Sequence, residues 1–251
     1  MLHAERRQYI LERLHREGKV VATELSASLA VSEDTIRRDL RELAEQGLLT
    51  RVHGGALPRS PAAVDFDTRQ RNLTPGKVAI ARQAASLVRN GHVVLMCGGT
   101  TNVQIAQHFA PDLSATVITH NPLVAINLAH HPTIEVILLG GRLFKESLVT
   151  VGSATVDALR SIRADICMLG VCSLHPEVGI SIPDLEESYV QRAMIASSAE
   201  VVALASAEKL GTASSYVVGP LTELTHLITE KSVPPDQLQA YRALGITIMQ
   251  G

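Results

Sequence analysis

The chain has 251 residues, a formal net charge of −2, 46% hydrophobic and 19% charged side chains, the profile of one or two ordinary folded domains. Aromatic residues make up 3% and tryptophan is absent, which excludes single-stranded nucleic acid held by stacking as the first expectation. No apolar run is long enough for a membrane span, and the charged start MLHAERRQYI lacks a signal-peptide core, so a cytoplasmic protein with no membrane partner is expected.

Residues 5–17, ERRQYILERLHRE, set Ile10, Leu11 and Leu14 on one face, and Gly18 follows as a cap. VVATELSASLAVS then offers Thr23 as an N-cap before Leu25 and Leu29, and Ser32 as the N-cap of EDTIRRDLRELAEQG. In that helix Ile36, Leu40 and Leu43 recur at core-facing spacing, Thr35, Arg37, Arg38 and Arg41 point outward, and Gly47 stops it. LLTRVHGGALPR reads as two short extended pieces around a His53-Gly54-Gly55 turn. Three helices and a hairpin outline a winged helix-turn-helix, whose second helix reads the major groove with its N-terminal residues. Residues 1–59 carry ten Lys and Arg against nine Asp and Glu, so DNA binding there must rest on a locally basic face, with Thr35, Arg37, Arg38 and Arg41 as the candidates. Glu33 and Asp34 suit the helix dipole. The plainer account of EDTIRRDLREL is a solvated helix laced with ion pairs; the preceding helix and the Gly-Gly wing weigh against it.

Residues 59–76 carry no clean period and are read as a linker between a 1–58 domain and a 77–251 domain. From Lys77 onward apolar strands alternate with helical patterns: His92 to Cys97, Ala115 to Thr119, Ile134 to Leu139, Asp165 to Val171, Glu200 to Ala205, Leu227 to Thr229 and Ile246 to Met249. This alternation predicts an α/β domain with a mostly parallel sheet covered on both faces, its ligand beyond the carboxyl ends of the strands. VVLMCGGTT, residues 93–101, delivers a glycine loop to a helix start at such an end. Cys97, Cys167 and Cys172 sit in apolar segments without metal-ligand spacing, and His130 and His131 beside Pro132 read as surface residues, so no metal and no cofactor are expected.

The first 58 residues, above all VSEDTIRRDLREL followed by GLLTRVHGGA, resemble the winged-helix domain of DeoR-type bacterial transcription regulators. KVAIARQAASLV, GGTT, VITHNPLVAINLA, IEVILLGGRL, LVTVG, RADICMLGV and DLEESYVQRAMI follow, in order, the effector domain of the same family. The resemblance implies a ribose-5-phosphate isomerase and coenzyme A transferase-like C-terminal fold that senses a phosphorylated metabolite. It also implies that the helix opened by Ser32 enters the major groove and that the wing, with Arg51, His53 and Gly54, lies against the backbone or minor groove.

The expected function is therefore a DNA-binding regulator, a homo-oligomeric repressor of a carbohydrate or related catabolic operon, bound to double-stranded operator DNA and controlled by a small phosphorylated metabolite. Gly98, Gly99, Thr100, Thr101 and Asn102 offer amides and hydroxyls to the anion, and Lys77 or Lys209 a cation. The bland alternative is a tight turn with Thr100 or Thr101 as an N-cap. Two departures from the family stand out: Cys97 replaces an acid before the glycine run, and Ser206 replaces an Asp ahead of Lys209. Both remove a carboxylate that a sugar-binding or catalytic site would use. His175 and Glu177 are placed near the pocket or in solvent with equal weight, and Asp184, Glu186 and Glu187 are explained by capping. The alternatives are an aldose–ketose phosphate isomerase with an appended helical domain, and a regulator whose C-terminal domain only oligomerises; no catalytic residue is assigned.

Overall fold

The computed structural model describes residues 2–251. Its N-terminal part runs α1 (His3–Glu17), β1 (Val20–Val21), α2 (Ala22–Leu29), α3 (Glu33–Glu45), β2 (Thr50–Val52) and β3 (Gly55–Leu57), with the strands antiparallel in the order β1-β3-β2. Ile10, Leu14, Leu25, Ile36, Leu40 and Leu43 form its core, as their spacing predicts. Ser32 caps α3, its Oγ accepting from the Thr35 N–H at 3.3 Å. Thr23 does not cap α2: Val21 takes that position, and the Ala22 N–H donates to the Gly54 carbonyl at 2.8 Å. The wing thus supplies the acceptor that a local hydroxyl was expected to provide. Gly55 permits this approach, since a Cβ there would lie 2.0 Å from the Val20 carbonyl oxygen. Arg6 and the fully buried Asp39 form a two-armed ion pair that fixes α1 against α3.

Residues 59–76 are packed rather than extended in solvent. Arg59 bridges to Ala213, the Ser60 hydroxyl donates to the Cys172 carbonyl at 2.6 Å, and α4 (Phe66–Arg71) buries Phe66 against the large sheet. Asp65 caps α4. A buried aromatic, a backbone bridge and a side-chain hydrogen bond do the anchoring, and none of them leaves a periodic trace in sequence.

The chain continues through α5 (Pro75–Ala85), β4 (Val93–Met96), α6 (Thr100–Gln107), β5 (Ala115–Thr119), α7 (Pro122–Leu128), β6 (Ile134–Leu138), the hairpin β7 (Arg142–Phe144) and β8 (Val149–Val151), and α8 (Ser153–Arg160). Then come β9 (Ala164–Gly170), β10 (Ser173–His175), β11 (Gly179–Ile182), α9 (Leu185–Ala196), β12 (Ser198–Leu204), β13 (Tyr216–Gly219), β14 (His226–Thr229), α10 (Pro235–Ala243) and β15 (Thr247–Gln250). Seven strands form one parallel sheet in the order β15-β14-β12-β9-β4-β5-β6. These are the seven strands expected, displaced by at most two residues. Alternate residues of β4 serve opposite faces: Val94 and Met96 pack with α4 to α7, Leu95 and Cys97 with α8 to α10. The chain leaves β4 in one direction across the sheet and returns to β9 on its other side, which makes the gap beyond β4 and β9 the topological switch point. The β7–β8 hairpin and the antiparallel β10-β11-β13 sheet cover that end; their strands of three or four residues are too short to read by alternation.

Candidate DNA-reading head and ligand pocket

On α3, Arg37, Arg38 and Arg41 are exposed, as are Arg51, His53 and Gly54 on the wing. They differ in freedom. Arg37 is held by Glu33 at 2.8 Å and Asp34 at 3.7 Å, whereas Arg38, Arg41 and Arg51 have no carboxylate within 4.0 Å among the described residues. The ion-pair account of this helix therefore holds for Arg37 and not for the other two arginines of α3. Ser32 and Thr35 contact each other through their hydroxyls at 2.9 Å beside the cap. Gly54, with φ +78°, turns the two-residue hairpin that sets His53 at the wing tip.

At the switch point, loops after β4 and β9 face each other across a small cavity. Gly98, Gly99, Thr100, Thr101 and Lys209 lie on its wall. Gly99 is the N-cap of α6 with φ +103° and no side-chain cap, so neither Thr100 nor Thr101 acts as the cap; both sit inside the first turn. The first-turn amides consequently have no partner within the helix, and α6 presents them with its dipole to the cavity. The Gly98 N–H is committed elsewhere: it donates to His120 Nε2 at 3.1 Å, which puts the imidazole proton on Nδ1, toward the Thr150 carbonyl at 2.9 Å. Burial holds the His120 pKa down at about 4, so the ring is a neutral acceptor that fixes the loop.

Asn102 and Lys77 are not brought to the cavity wall. Asn102 is fully buried and its amide donates to the Gly98 carbonyl at 3.1 Å, so it shapes the loop from beneath. The Lys77 ammonium donates to the Asn72 carbonyl at 3.1 Å and lies 3.8 Å from Glu208, which also accepts from the Ser206 hydroxyl at 2.6 Å. His175 is buried in β10, where its Nδ1 accepts from the Glu177 N–H, and Glu177 pairs with Lys19 of the reading head at 3.0 Å; neither lines the cavity. His130 is exposed.

Arg69, Ser147, Glu187 and Gln191 add polar side chains to the wall, beside Cys97 and Cys172. Asp184 caps α9 as expected, accepting from the Glu187 N–H at 2.9 Å, but the Glu187 side chain is buried in the pocket and accepts from the Ser147 hydroxyl at 2.9 Å. Burial raises its pKa to about 7. Glu187 thereby returns a carboxyl to a pocket that lacks one at positions 97 and 206. A buried glutamate three residues past a cap looks in sequence like a dipole-satisfying surface residue, and nothing local separates the two. The Gln191 amide donates to Cys97 Sγ at 3.5 Å and to the Gly170 carbonyl at 3.0 Å, leaving its Oε1 buried and unpartnered. Burial pushes the Cys97 thiol up to about 12, so it stays neutral. Lys209 is buried without a hydrogen bond to its ammonium among the described residues, and desolvation lowers its pKa.

The water-accessible space inside these walls is about 40 Å³, room for about three waters at ~10–15 Å³ each. An adjoining cavity of about 230 Å³ shares Arg69, Ser147, Cys172 and Glu187 with it. An open groove of about 720 Å³ between α8 and α9 shares no residue with either. Its arginines are occupied, Arg160 by Asp157, Arg163 by the Arg160 and Ile162 carbonyls and Arg192 by carbonyls of β13, and it lies away from the switch point.

A model of the DeoR C-terminal sensor domain matches residues 73–231, and one of the DeoR-like helix-turn-helix domain matches residues 6–61. The chain belongs to the DeoR family of transcriptional regulators. It is 32% identical to the HTH-type transcriptional regulator GlpR of Haloferax volcanii over 100% of this chain and 99% of the relative. It is 31% identical to the glycerol-3-phosphate regulon repressor of Escherichia coli K12, covering 95% of each. A ribose 5-phosphate isomerase from Methanocaldococcus jannaschii is similar over 53% of this chain and 52% of its own, at 15% identity and a TM-score of 0.38. As a DeoR-family regulator the chain joins a DNA-binding helix-turn-helix to a sensor for a small-molecule effector. No helix among the described residues is long and apolar enough to cross a membrane.

Proposed function

We propose that this DeoR-family protein is a cytoplasmic, homo-oligomeric repressor of a carbohydrate or related catabolic operon, whose hold on operator DNA changes when a small phosphorylated metabolite occupies the switch-point pocket. Arg38 and Arg41 read the major groove, with Thr35 and the cap Ser32 beside them, while Arg51, His53 and Gly54 bind the adjoining backbone. Arg37 contributes less because Glu33 already holds it. The effector's phosphate sits on Gly99, Thr100 and Thr101 against Lys209.

One observation carries the coupling: the segments that wall the pocket are the segments that hold the reading head. Lys209 lies in the cavity wall, and four residues on, the Ala213 N–H donates to the Pro58 carbonyl at 3.1 Å while its carbonyl accepts from the Thr50 hydroxyl at 2.8 Å. Ser60 is tied to Cys172, another wall residue. A ligand larger than the present free space must displace Arg69 or Lys209, and either displacement pulls on the attachments of the wing. Two sites joined by such an element have a coupling free energy, expressed as a change in how the two heads of an oligomer meet two half-sites.

Fluorescence anisotropy with duplex DNA from the chain's own promoter region tests this. Salt-sensitive, sequence-preferring binding that a panel of sugar phosphates alters is expected; absence of such binding under every ligand condition overturns it. The isomerase alternative keeps one specific observation in its favour, a buried carboxyl near pKa 7 in the pocket, which is what a general base needs. On the regulator reading, purified protein turns over no pentose or hexose phosphate, and turnover above background would decide for the enzyme.

A further inference from the structure

The two cavities meet at a partition made by Arg69, Ser147, Cys172 and Glu187. The inner one has the room of a phosphate group and the means to hold it: free amides at the start of α6 and the buried, unpartnered Lys209. The outer one is of opposite character. Glu146, Asp65 and Asp184 line it beside the apolar Val64 and Phe144. A ligand anchored by its phosphate and longer than it must pass Glu187, whose carboxyl is buried on the partition, and extend toward these acids. One helical turn beyond Glu187, on the wall of the inner cavity, Gln191 has its Oε1 buried without a partner, an acceptor that wants a hydroxyl.

We infer that Glu187 sets the charge selectivity of this pocket, admitting a monophosphate whose far end bears hydroxyls and rejecting one whose far end is a second anion. The assignment rests on the phosphate reading above. A hydroxyl donates to the Glu187 carboxylate or to Gln191 Oε1, whereas a carboxylate or second phosphate there meets like charge in a desolvated setting, where repulsion is weakly screened. The groups facing the Glu187 carboxyl are Arg69 of α4, Ser147 and Glu146 of the β7–β8 loop, Asp184 before α9, and the thiols of Cys97 and Cys172, while Lys209 lies elsewhere on the wall of the inner cavity. Arg69 is the cation that could relieve a second anion; its two terminal nitrogens are engaged, one donating to the Val64 carbonyl at 2.8 Å and the other reaching Ser147 at 3.5 Å, which leaves its buried Nε as the one nitrogen without a partner among the described residues.

Calorimetric titration of the full chain with inorganic phosphate, glycerol 3-phosphate and 3-phosphoglycerate tests this, since the last two differ chiefly in exchanging a terminal CH₂OH for a carboxylate. At pH 8 the wild type is expected to prefer glycerol 3-phosphate by about tenfold, which is ~1.4 kcal/mol. The ratio should shrink at pH 6, where Glu187 becomes protonated, and the shared phosphate cancels from it. Glu187→Gln, nearly isosteric, should bring the ratio close to one at both pH values. Should that variant misfold, the pH dependence of the wild-type ratio remains decisive. Phosphate binding with no preference in the wild type, or an undiminished preference in Glu187→Gln, overturns the role of Glu187 alone. No binding of any of the three, inorganic phosphate included, overturns the anion cradle and this assignment with it.

Discussion

In the reading head the buried charge is fully paired, Asp39 receiving both arms of Arg6 and His3 at its edge, and the unpaired cations stand in solvent on α3 and the wing. In the sensor pocket the arrangement is reversed: Lys209 and Glu187 are buried, and Gln191 Oε1 and Arg69 Nε lack partners. A buried polar group without a partner costs about 1–3 kcal/mol, so the pocket carries an instability that a ligand with matching groups removes. Among the described residues the head carries one such atom, Arg7 Nε, on a guanidinium whose other nitrogens already reach Glu42 and Gln46. Exposed arginines cost little to keep free and recover energy only against a polyanion.

The largest effect that separates the two regions is expected from Asp39→Ala. Removing one partner of a buried pair costs about 3–5 kcal/mol, a large share of what a small domain has. Chemical denaturation followed by circular dichroism should show the head's transition lost or shifted far down while that of the sensor persists, and operator binding should vanish with phosphate binding retained. A single unshifted transition would mean that the pair is not what holds α1 to α3.

The pocket's counterpart is a pH dependence. The folded pKa of Glu187, about 7, lies above its ordinary value of 4.5, so the folded state favours the protonated form. The group's contribution to stability is greatest below pH 4.5 and is lost as pH rises toward 7, by on the order of 3–4 kcal/mol at about 1.4 kcal/mol per pH unit. Glu187→Gln should flatten the thermal stability of the sensor between pH 5 and 8 relative to wild type. An equal slope in both proteins would assign the dependence to another group.

On the DNA side, Arg38→Ala should weaken operator binding by about 1–3 kcal/mol and reduce its salt dependence, while Arg37→Ala should cost less because that guanidinium must first leave Glu33. Anisotropy titrations at two or more salt concentrations compare them. Equal losses would show that the Glu33 pair opens freely on DNA.

The head was legible almost residue by residue, since helical spacing, the Ser32 cap and the His53-Gly54 turn are all local signals. The sheet was legible for the same reason: two buried faces make continuous apolar strands. The pocket was legible in its glycine-threonine loop and in Lys209, and in little else. Gly99 and the threonines announce themselves, but Glu187, Arg69, Ser147 and His120 come from four separated segments, and each has a sufficient local explanation as a cap neighbour, a surface arginine, a loop serine or a buried ring. Lys77 shows the converse error, since a lysine in the right stretch was taken by Asn72 and Glu208 instead. Residues 59–76 look like a linker in sequence because their anchors, Phe66 and Ser60, pair with residues far along the chain.

The smallest expected effect bears on how the two regions communicate. The Thr50 hydroxyl reaches the Ala213 carbonyl from the strand that opens the wing hairpin, and it touches neither DNA-facing arginines nor the pocket wall. Thr50→Val keeps the shape and the β propensity and removes one hydrogen bond, worth about 1 kcal/mol, so the head should fold, bind operator and leave phosphate binding in place. What it should lose is the link. If Ala213 transmits displacement of Lys209 to the wing, saturating phosphate ligand will change operator affinity less in Thr50→Val than in wild type, and Ser60→Ala, which frees the Cys172 carbonyl, will act in the same direction. Measured as the ratio of operator affinities with and without ligand, wild-type coupling in both variants would show that the signal leaves the pocket by another route, through the oligomer rather than through the contacts between the two domains of one chain.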